Sequence, residues 1–254
     1  YARWIPEKKR RETWAEAVTR VKQMMLDKYV TDDSNSEIET EIEWAYEQML
    51  KKRVLGSQRA LQFGGDPILK HNARIYNCIT SYADRLKFFQ ECMFLLLCGC
   101  GTGFSVQRHH IAKLPKLIKQ KSGSKKFTIP DSIEGWSDAV GVLIGAYLKC
   151  DLFPEYSGRK VEFDYSQIRP AGAELSSSGG KAPGPKPLKK ALKKIEEILE
   201  SAQNNQERLT PIQCYDIVMH AADSVISGGV RRSATICMFS PDDDEMMSAK
   251  TGNW

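Results

Sequence analysis

Between Phe88 and Cys98 the chain is apolar nearly all round, interrupted only by Gln90 and Glu91. A helix without a polar stripe is buried on most of its sides, so further elements must pack around this segment. Glycine is a poor resident of a helix interior, and the Gly99 to Gly103 stretch is expected to end the helix as a loop. With 254 residues the chain can bury a full core, as one large domain or two small ones. Its 41% hydrophobic and 27% charged residues are those of an ordered globular protein. The longest apolar run, Met93 to Cys98, is far too short to span a bilayer. Tyr1-Ala2-Arg3-Trp4 leads straight into charged sequence rather than into a secretory signal, so no membrane partner is expected.

Residues 12–28 place Trp14, Val18, Val21 and Met25 on one side of a helix. Ser36 and Glu39 make a capping-box pattern ahead of Ile38, Ile42, Ala45 and Met49 at helical spacing. Residues 136–148 form another short helix, and residues 169–187, rich in Gly, Pro and Ser, a long loop. Pro187 suits the first turn of the next helix, whose stripe is Leu188, Leu192, Ile195 and Leu199. Its lysines precede its glutamates, against the helix dipole, so packing must hold it. Thr210-Pro211-Ile212-Gln213 is a second capping box, opening a helix to about Ile226 that ends at Gly228. Strands are expected at 161–165 and 235–239, and over residues 73–80, ending at Asn77-Cys78.

The net charge of +5 and pI near 8.7 are mild. Lysines cluster at 113–126 and 181–194, and nucleic acid is attracted to such faces. No aromatic residues interleave the second cluster, which reads as a solvated face, and no nucleic-acid partner is expected. Seven cysteines, an odd number without Cys-x-x-Cys or zinc-type spacing, point to reduced thiols, a cytoplasmic setting and no metal site. Cys98-Gly99-Cys100 reads as core packing.

Three short segments carry chemistry. Ser227-Gly228-Gly229-Val230-Arg231-Arg232-Ser233-Ala234 couples flexible glycines to arginines, whose planar forks suit phosphate or stacking on a base. It is either an anion site or a tight turn with solvated arginines. Cys78, after Tyr76-Asn77, is either a working thiol or one of the many buried cysteines. Gly101 and Gly103, without a third glycine and a following acid, are no dinucleotide fingerprint.

The order of the pieces is specific where each alone is not. Gly56-Ser57-Gln58-Arg59-Ala60-Leu61, Tyr76-Asn77-Cys78 and Gly101-Thr102-Gly103-Phe104-Ser105-Val106 come first. Asp164-Tyr165-Ser166-Gln167-Ile168-Arg169-Pro170-Ala171-Gly172, Gly179 to Pro185, Ser227 to Ala234 and Ala249 to Trp254 follow. Together, from about Trp4 to Trp254, they resemble the adenosylcobalamin-dependent (class II) ribonucleotide reductases, most nearly the monomeric ribonucleoside-triphosphate type. The resemblance implies an α/β fold, with a helical N-terminal region followed by the first half of a ten-stranded α/β barrel and an inserted helix-loop-helix effector segment. Its divisions would be 1–55, helical; 56–108, the start of the half-barrel with the active-site cysteine; 109–205, an insertion replacing a dimer partner at the effector site; and 206–254, a helix, the specificity loop and a barrel strand.

The resemblance also implies conversion of ribonucleoside triphosphates to deoxyribonucleotides for DNA synthesis, through a cysteinyl radical initiated by adenosylcobalamin. Two further cysteines supply reducing equivalents and become a disulfide, and Cys78 matches the first of that pair. Asn77, Gly101 and Gly103 match segments lying against the substrate. Gly228, Gly229, Arg231, Arg232 and Ser233 match the loop relaying between a deoxyribonucleotide effector and the active site. Asp84 falls near the position that holds the effector ribose in the wider superfamily, or is a surface aspartate flanking a helix.

The match stops at Gly252-Asn253-Trp254, before the family's radical cysteine, second redox cysteine and C-terminal re-reducing pair. Cys214 and Cys237 do not match those positions and read as core thiols. The expected partners are therefore a complementary C-terminal half and a dithiol reductant such as thioredoxin, and the chain alone is expected to be inactive. The alternative is a nucleotide-binding regulatory module without chemistry of its own.

Overall fold

The structure, a computed structural model, describes residues 2–31, 36–121, 123–149, 151–174, 181–226 and 233–252. It divides into two compact units, one built on Tyr1–Asn77 and the other on Cys78–Glu174 with Gly180–Trp254.

The first unit opens with an antiparallel ribbon, β1 (Trp4–Ile5) and β2 (Arg10–Arg11). Four helices follow: α1 (Trp14–Tyr29), α2 (Ser36–Leu50), α3 (Gln58–Phe63) and α4 (Asp66–Lys70), then a 3-10 turn at Asn72–Ile75. α1 begins in a capping box that the periodicity did not reveal: Glu16 donates its amide to the Thr13 hydroxyl, and its carboxylate accepts the Thr13 amide. Ser36, expected as a cap, is instead the first helical residue of α2, and its carbonyl accepts the Thr40 hydroxyl. Val18, Val21, Met24, Met49, Leu61, Phe63 and Ile68 form the core of this unit.

One ion pair clamps the unit. Arg20 donates Nε and Nη2 to the Glu12 carboxylate at 2.7 and 2.9 Å, and also reaches the carbonyls of Leu61 and Gly64. Burial alone would raise the Glu12 carboxyl, but the donors from Arg20 and the Arg3 amide outweigh it and hold it below its ordinary value. A depressed acid contributes stability that is present above its unfolded pKa and lost as pH falls through the folded one. The first unit is therefore expected to weaken as pH drops below 4.5, the ordinary value for this group. Glu12→Gln is expected to be destabilised at neutral pH and to lose that acid dependence. Urea melts of both proteins at neutral and acid pH check this, and a variant as stable as its parent at neutral pH would refute the clamp.

In chain order the second unit contains β3 (Cys78–Tyr82), α5 (Lys87–Leu97), β4 (Gly101–Ser105), α6 (Arg108–Ile111) and β5 (Ser124–Thr128). It continues with α7 (Ile133–Tyr147), β6 (Lys160–Asp164), α8 (Lys186–Asn205), α9 (Pro211–Ile226), β7 (Thr235–Met238) and α10 (Asp244–Ser248). β4 lies between β3 and β7, parallel to both, with Thr80 opposite Gly103 and Gly103 opposite Ile236. β5 and β6 form a separate parallel pair with α7 as the crossover that parallel strands require. The architecture is mixed α/β with parallel sheets.

α5, α7, α8 and α9 share one core, in which Phe88, Met93, Leu143, Ile144, Leu188, Ile195 and Leu199 are fully buried. The all-round apolar character of α5 and the stripe of α8 are thus accounted for by packing. α9 opens on its capping box: the Thr210 amide donates to Gln213 Oε1 at 3.0 Å, and the Gln213 amide to Thr210 Oγ1 at 3.4 Å.

Two expectations are corrected. Gly101 and Gly103 are not loop residues but lie in β4. Only Gly99 turns the chain, at φ +83°, and the two later glycines alternate with buried Thr102 and Phe104, as a strand's side chains do. Cys78 does not end a strand but begins one. The preceding residues close a 3-10 turn, with the Tyr76 amide donating to the Ala73 carbonyl. No helix among the described residues is long and apolar enough to cross a membrane.

Candidate functional site

The three-stranded sheet has unlike faces. Toward the helices it presents Thr102 and Phe104, both buried, and the Phe104 ring lies 5.9 Å from Phe88 of α5 and 6.5 Å from Tyr215 of α9. Strand alternation sends Cys78, Thr80, Tyr82, Gly101, Gly103, Ile236 and Met238 to the other face. Cys78 and Thr80 are exposed there, and Ile236 and Met238 retain 70% and 50% of their accessibility. The floor of this face is low at its centre. A Cβ on Gly103 would stand 3.0 Å from Thr80 Cγ2 and 3.4 Å from Ile236 Cγ2.

Cys78, at the head of β3, is paired in register with Gly101. Its thiol is free and exposed, and the glycines beside it let a bound group approach the sheet backbone. Asn77, also exposed, precedes it. Two residues before the thiol, the Tyr76 carbonyl accepts from Arg59 Nε at 3.2 Å and Nη2 at 3.0 Å. Arg59 is 2% exposed, and its guanidinium sits 4.8 Å from the centre of the Phe63 ring. The sequence placed it in the Gly56 to Leu61 motif but gave no sign of its burial, because a buried arginine reads like any helix-surface arginine until its partners are seen. Ser233 lies at this same end of the sheet, one residue before Ala234, whose carbonyl accepts the Thr102 amide. Gly228, Gly229, Arg231 and Arg232 lie outside the described residues.

The opposite end of the sheet is a separate polar cluster. His110 Nδ1 stands 2.9 Å from Ser105 Oγ, and its ring lies tilted, 4.5 Å from that of Tyr82 and 3.9 Å from that of His109. Burial first, then the neighbouring His109, lowers the His110 pKa. Asp84 belongs to this end, ion-paired with Arg85 at 3.0 Å. The fold therefore brings together Cys78, Gly101, Gly103 and Ser233, and places Asp84 past the far end of β3.

Among the other described cysteines, Cys92 and Cys214 are buried and Cys237 is half-buried. Burial pushes Cys92 up to about 12 and Cys237 up to about 11, and raises Cys214 strongly, so these are poor thiolate formers. No cluster of three or more His, Cys, Asp or Glu residues able to hold a metal occurs among the described residues.

Comparison with known proteins shows what the chain is similar to. Residues 107–199 match the family model of the insertion domain of B12-dependent ribonucleotide reductase. A crystal structure of a B12-dependent (class II) ribonucleotide reductase superposes with a TM-score of 0.79 at 25% identity, covering 98% of this chain and 42% of that one. The chain thus resembles the class II ribonucleotide reductases in fold over nearly its whole length. In sequence its relatives include the adenosylcobalamin-dependent ribonucleoside-triphosphate reductases of Lactobacillus delbrueckii subsp. bulgaricus (29% identical) and Lactobacillus leichmannii (28%), over 98% of this chain and 41% of each relative. A putative enzyme of the same name from Mycobacterium phage D29 is 28% identical over 90% of this chain. The chain spans about two fifths of the length of the relatives it matches.

Proposed function

We propose that the protein acts in an adenosylcobalamin-dependent ribonucleoside-triphosphate reductase, in which this chain supplies one redox cysteine, part of the substrate floor and most of the specificity-effector site. The observation that carries the reading is the exposed Cys78 thiol at the head of a parallel sheet, beside the side-chain-free floor of Gly101 and Gly103. Cys78 gives reducing equivalents to the ribose and ends in a disulfide with a second cysteine, which a dithiol reductant then reopens. Gly101 and Gly103 admit the sugar close to the backbone, and Asn77 lies where it can touch the substrate. Arg231 and Arg232 contact the effector nucleotide through their planar forks, and Gly228, Gly229 and Ser233 give that loop its freedom and its anchor. The segment 109–205 takes the place of a dimer partner at the effector site.

A sheet of three parallel strands with one open face is what the opening strands of a ten-stranded barrel would present. The complementary barrel half would bring the radical cysteine. Beside the glycine floor, exposed Ile236 and Met238 would offer apolar contact to a large group lying over the open face. When bound, adenosylcobalamin supplies the radical that starts the reaction.

The full-length protein, given a ribonucleoside triphosphate, a dithiol and adenosylcobalamin, is expected to form the deoxyribonucleotide, and to form none when the cobalamin is withheld. Equal product without cobalamin would overturn the reading. A narrower test raises the floor. Gly103→Val is expected to lower kcat/KM by about 100-fold, the order of effect of an ångström-scale misplacement, and also to lower the melting transition, since its Cβ would press on Thr80 and Ile236. Unchanged kcat/KM in that variant would mean that the substrate does not approach this part of the sheet.

A further inference from the structure

Two arginines are buried around one aromatic ring in the first unit. Arg59 and Phe63 stand four residues apart on α3 and so share a face of it. The Arg59 guanidinium lies 4.8 Å from the centre of the Phe63 ring, and that of Arg74, in the 3-10 turn, lies 5.4 Å from the same centre. Both are within the range of cation–π attraction. Arg59 is 2% exposed and Arg74 6%. Burying a guanidinium carries a high desolvation cost. Packing alone gives no reason to bear it, because apolar side chains of similar volume often replace buried ions without loss of stability. Arg59 also reaches the backbone ahead of Cys78: the Tyr76 carbonyl accepts its Nε at 3.2 Å and its Nη2 at 3.0 Å.

The carbonyl held in this way belongs to the peptide that enters Asn77. Peptide groups are planar, so fixing the Tyr76 carbonyl also fixes the amide nitrogen of Asn77. The Tyr76 amide is tied as well, donating to the Ala73 carbonyl at 3.1 Å. On the other side of Asn77, Cys78 opens β3 in register with Gly101. Tyr76, Asn77 and Cys78 are all exposed, so burial of their side chains does little to fix this stretch. We propose that Arg59 is a positioning residue for the thiol: through the Tyr76 carbonyl it holds residues 76–78 in the geometry that reduction of the ribose at Cys78 requires, with Arg74 bracing the Phe63 ring on which it lies. This role presupposes the redox part proposed above for Cys78. Two donors from one planar fork fix the carbonyl in direction as well as in distance, which the flexible point charge of a lysine does not.

Arg59→Lys and Arg59→Ala, made in the full-length protein and assayed with ribonucleoside triphosphate, dithiol and adenosylcobalamin, test this. Each is expected to lower kcat by about 100-fold, the order of effect of an ångström-scale misplacement, while KM changes far less and effector binding is retained. Hydrogen exchange is expected to quicken in the peptide spanning residues 72–79 and to stay at the parent's rate in α1 and α5. Arg59→Ala also leaves room for a free guanidinium ion. Added well below denaturing concentrations, guanidinium is expected to restore part of the lost kcat, which equal sodium chloride does not. A residue needed only for folding gives the opposite response, since guanidinium weakens folded proteins. Parent-like kcat in both variants, alongside an inactive Cys78→Ser, overturns the positioning role alone, whereas an active Cys78→Ser overturns the reading of the thiol itself. Faster exchange throughout the protein, or guanidinium that only depresses the rate further, also overturns the positioning role. Should Arg59→Ala fail to fold, Arg59→Lys, which keeps the charge, decides by its kcat, its KM and its exchange pattern.

Discussion

Cys78→Ser is expected to bring deoxyribonucleotide formation with a dithiol reductant down to background while leaving effector binding unchanged. The substitution keeps the size and polarity of an exposed side chain at the first position of β3, where replacements ordinarily change stability by no more than about 0.5 kcal/mol. What it removes is the sulfur: a hydroxyl cannot give reducing equivalents to the ribose by closing a disulfide, as proposed for Cys78. Product assays and equilibrium binding of a deoxyribonucleoside triphosphate, run on the same preparations, separate the two effects. Retained turnover would remove Cys78 from the chemistry. Effector binding intact with every function preserved would point to a regulatory module instead.

Phe104→Ala is expected to have the largest effect on stability. The ring is fully buried in the central strand, in contact range of Phe88 and Tyr215, so its loss removes a contact shared by both helices that cover the sheet. Large-to-small changes of this kind cost about 3–5 kcal/mol, against total stabilities of about 5–15 kcal/mol. The second unit is expected to melt much earlier in urea, with reduced expression. A shift below about 1 kcal/mol would mean that the sheet is held mainly by its hydrogen-bond ladder rather than by this packing.

Long periodic segments were legible because burial repeats with the helix. α5 and α8 read correctly from their apolar positions alone, and the Thr210 capping box located the start of α9. β4 was hidden because its open face is glycine, and glycine in a sequence signals a turn before it signals a floor. The start of β3 was misplaced because the 3-10 turn at Asn72–Ile75 carries the same mixture of residues as a strand end. At the site, Cys78 and the two glycines stood out only through the order of motifs, since neither a single thiol nor Gly-x-Gly is distinctive. Arg59 stood inside a quoted motif, but its burial and its bonds to the Tyr76 carbonyl had no signal, since periodicity does not encode partners distant in sequence.

The neighbouring strands β4 and β7 are far apart along the chain, which leaves the sheet at Ser105 and returns at Thr235. Closing a loop carries an entropic cost that rises only logarithmically, about 0.6 kcal/mol for each doubling of length, so a segment with its own βαβ unit fits between two adjacent strands at little thermodynamic expense. The expense falls on time instead. β3, α5 and β4 are contiguous and can assemble locally, whereas β7 must wait for the α8–α9 hairpin to deliver it, and such non-local pairing slows folding. Assembly of this sheet is therefore expected to run from β3 toward β7, with β7 docking last.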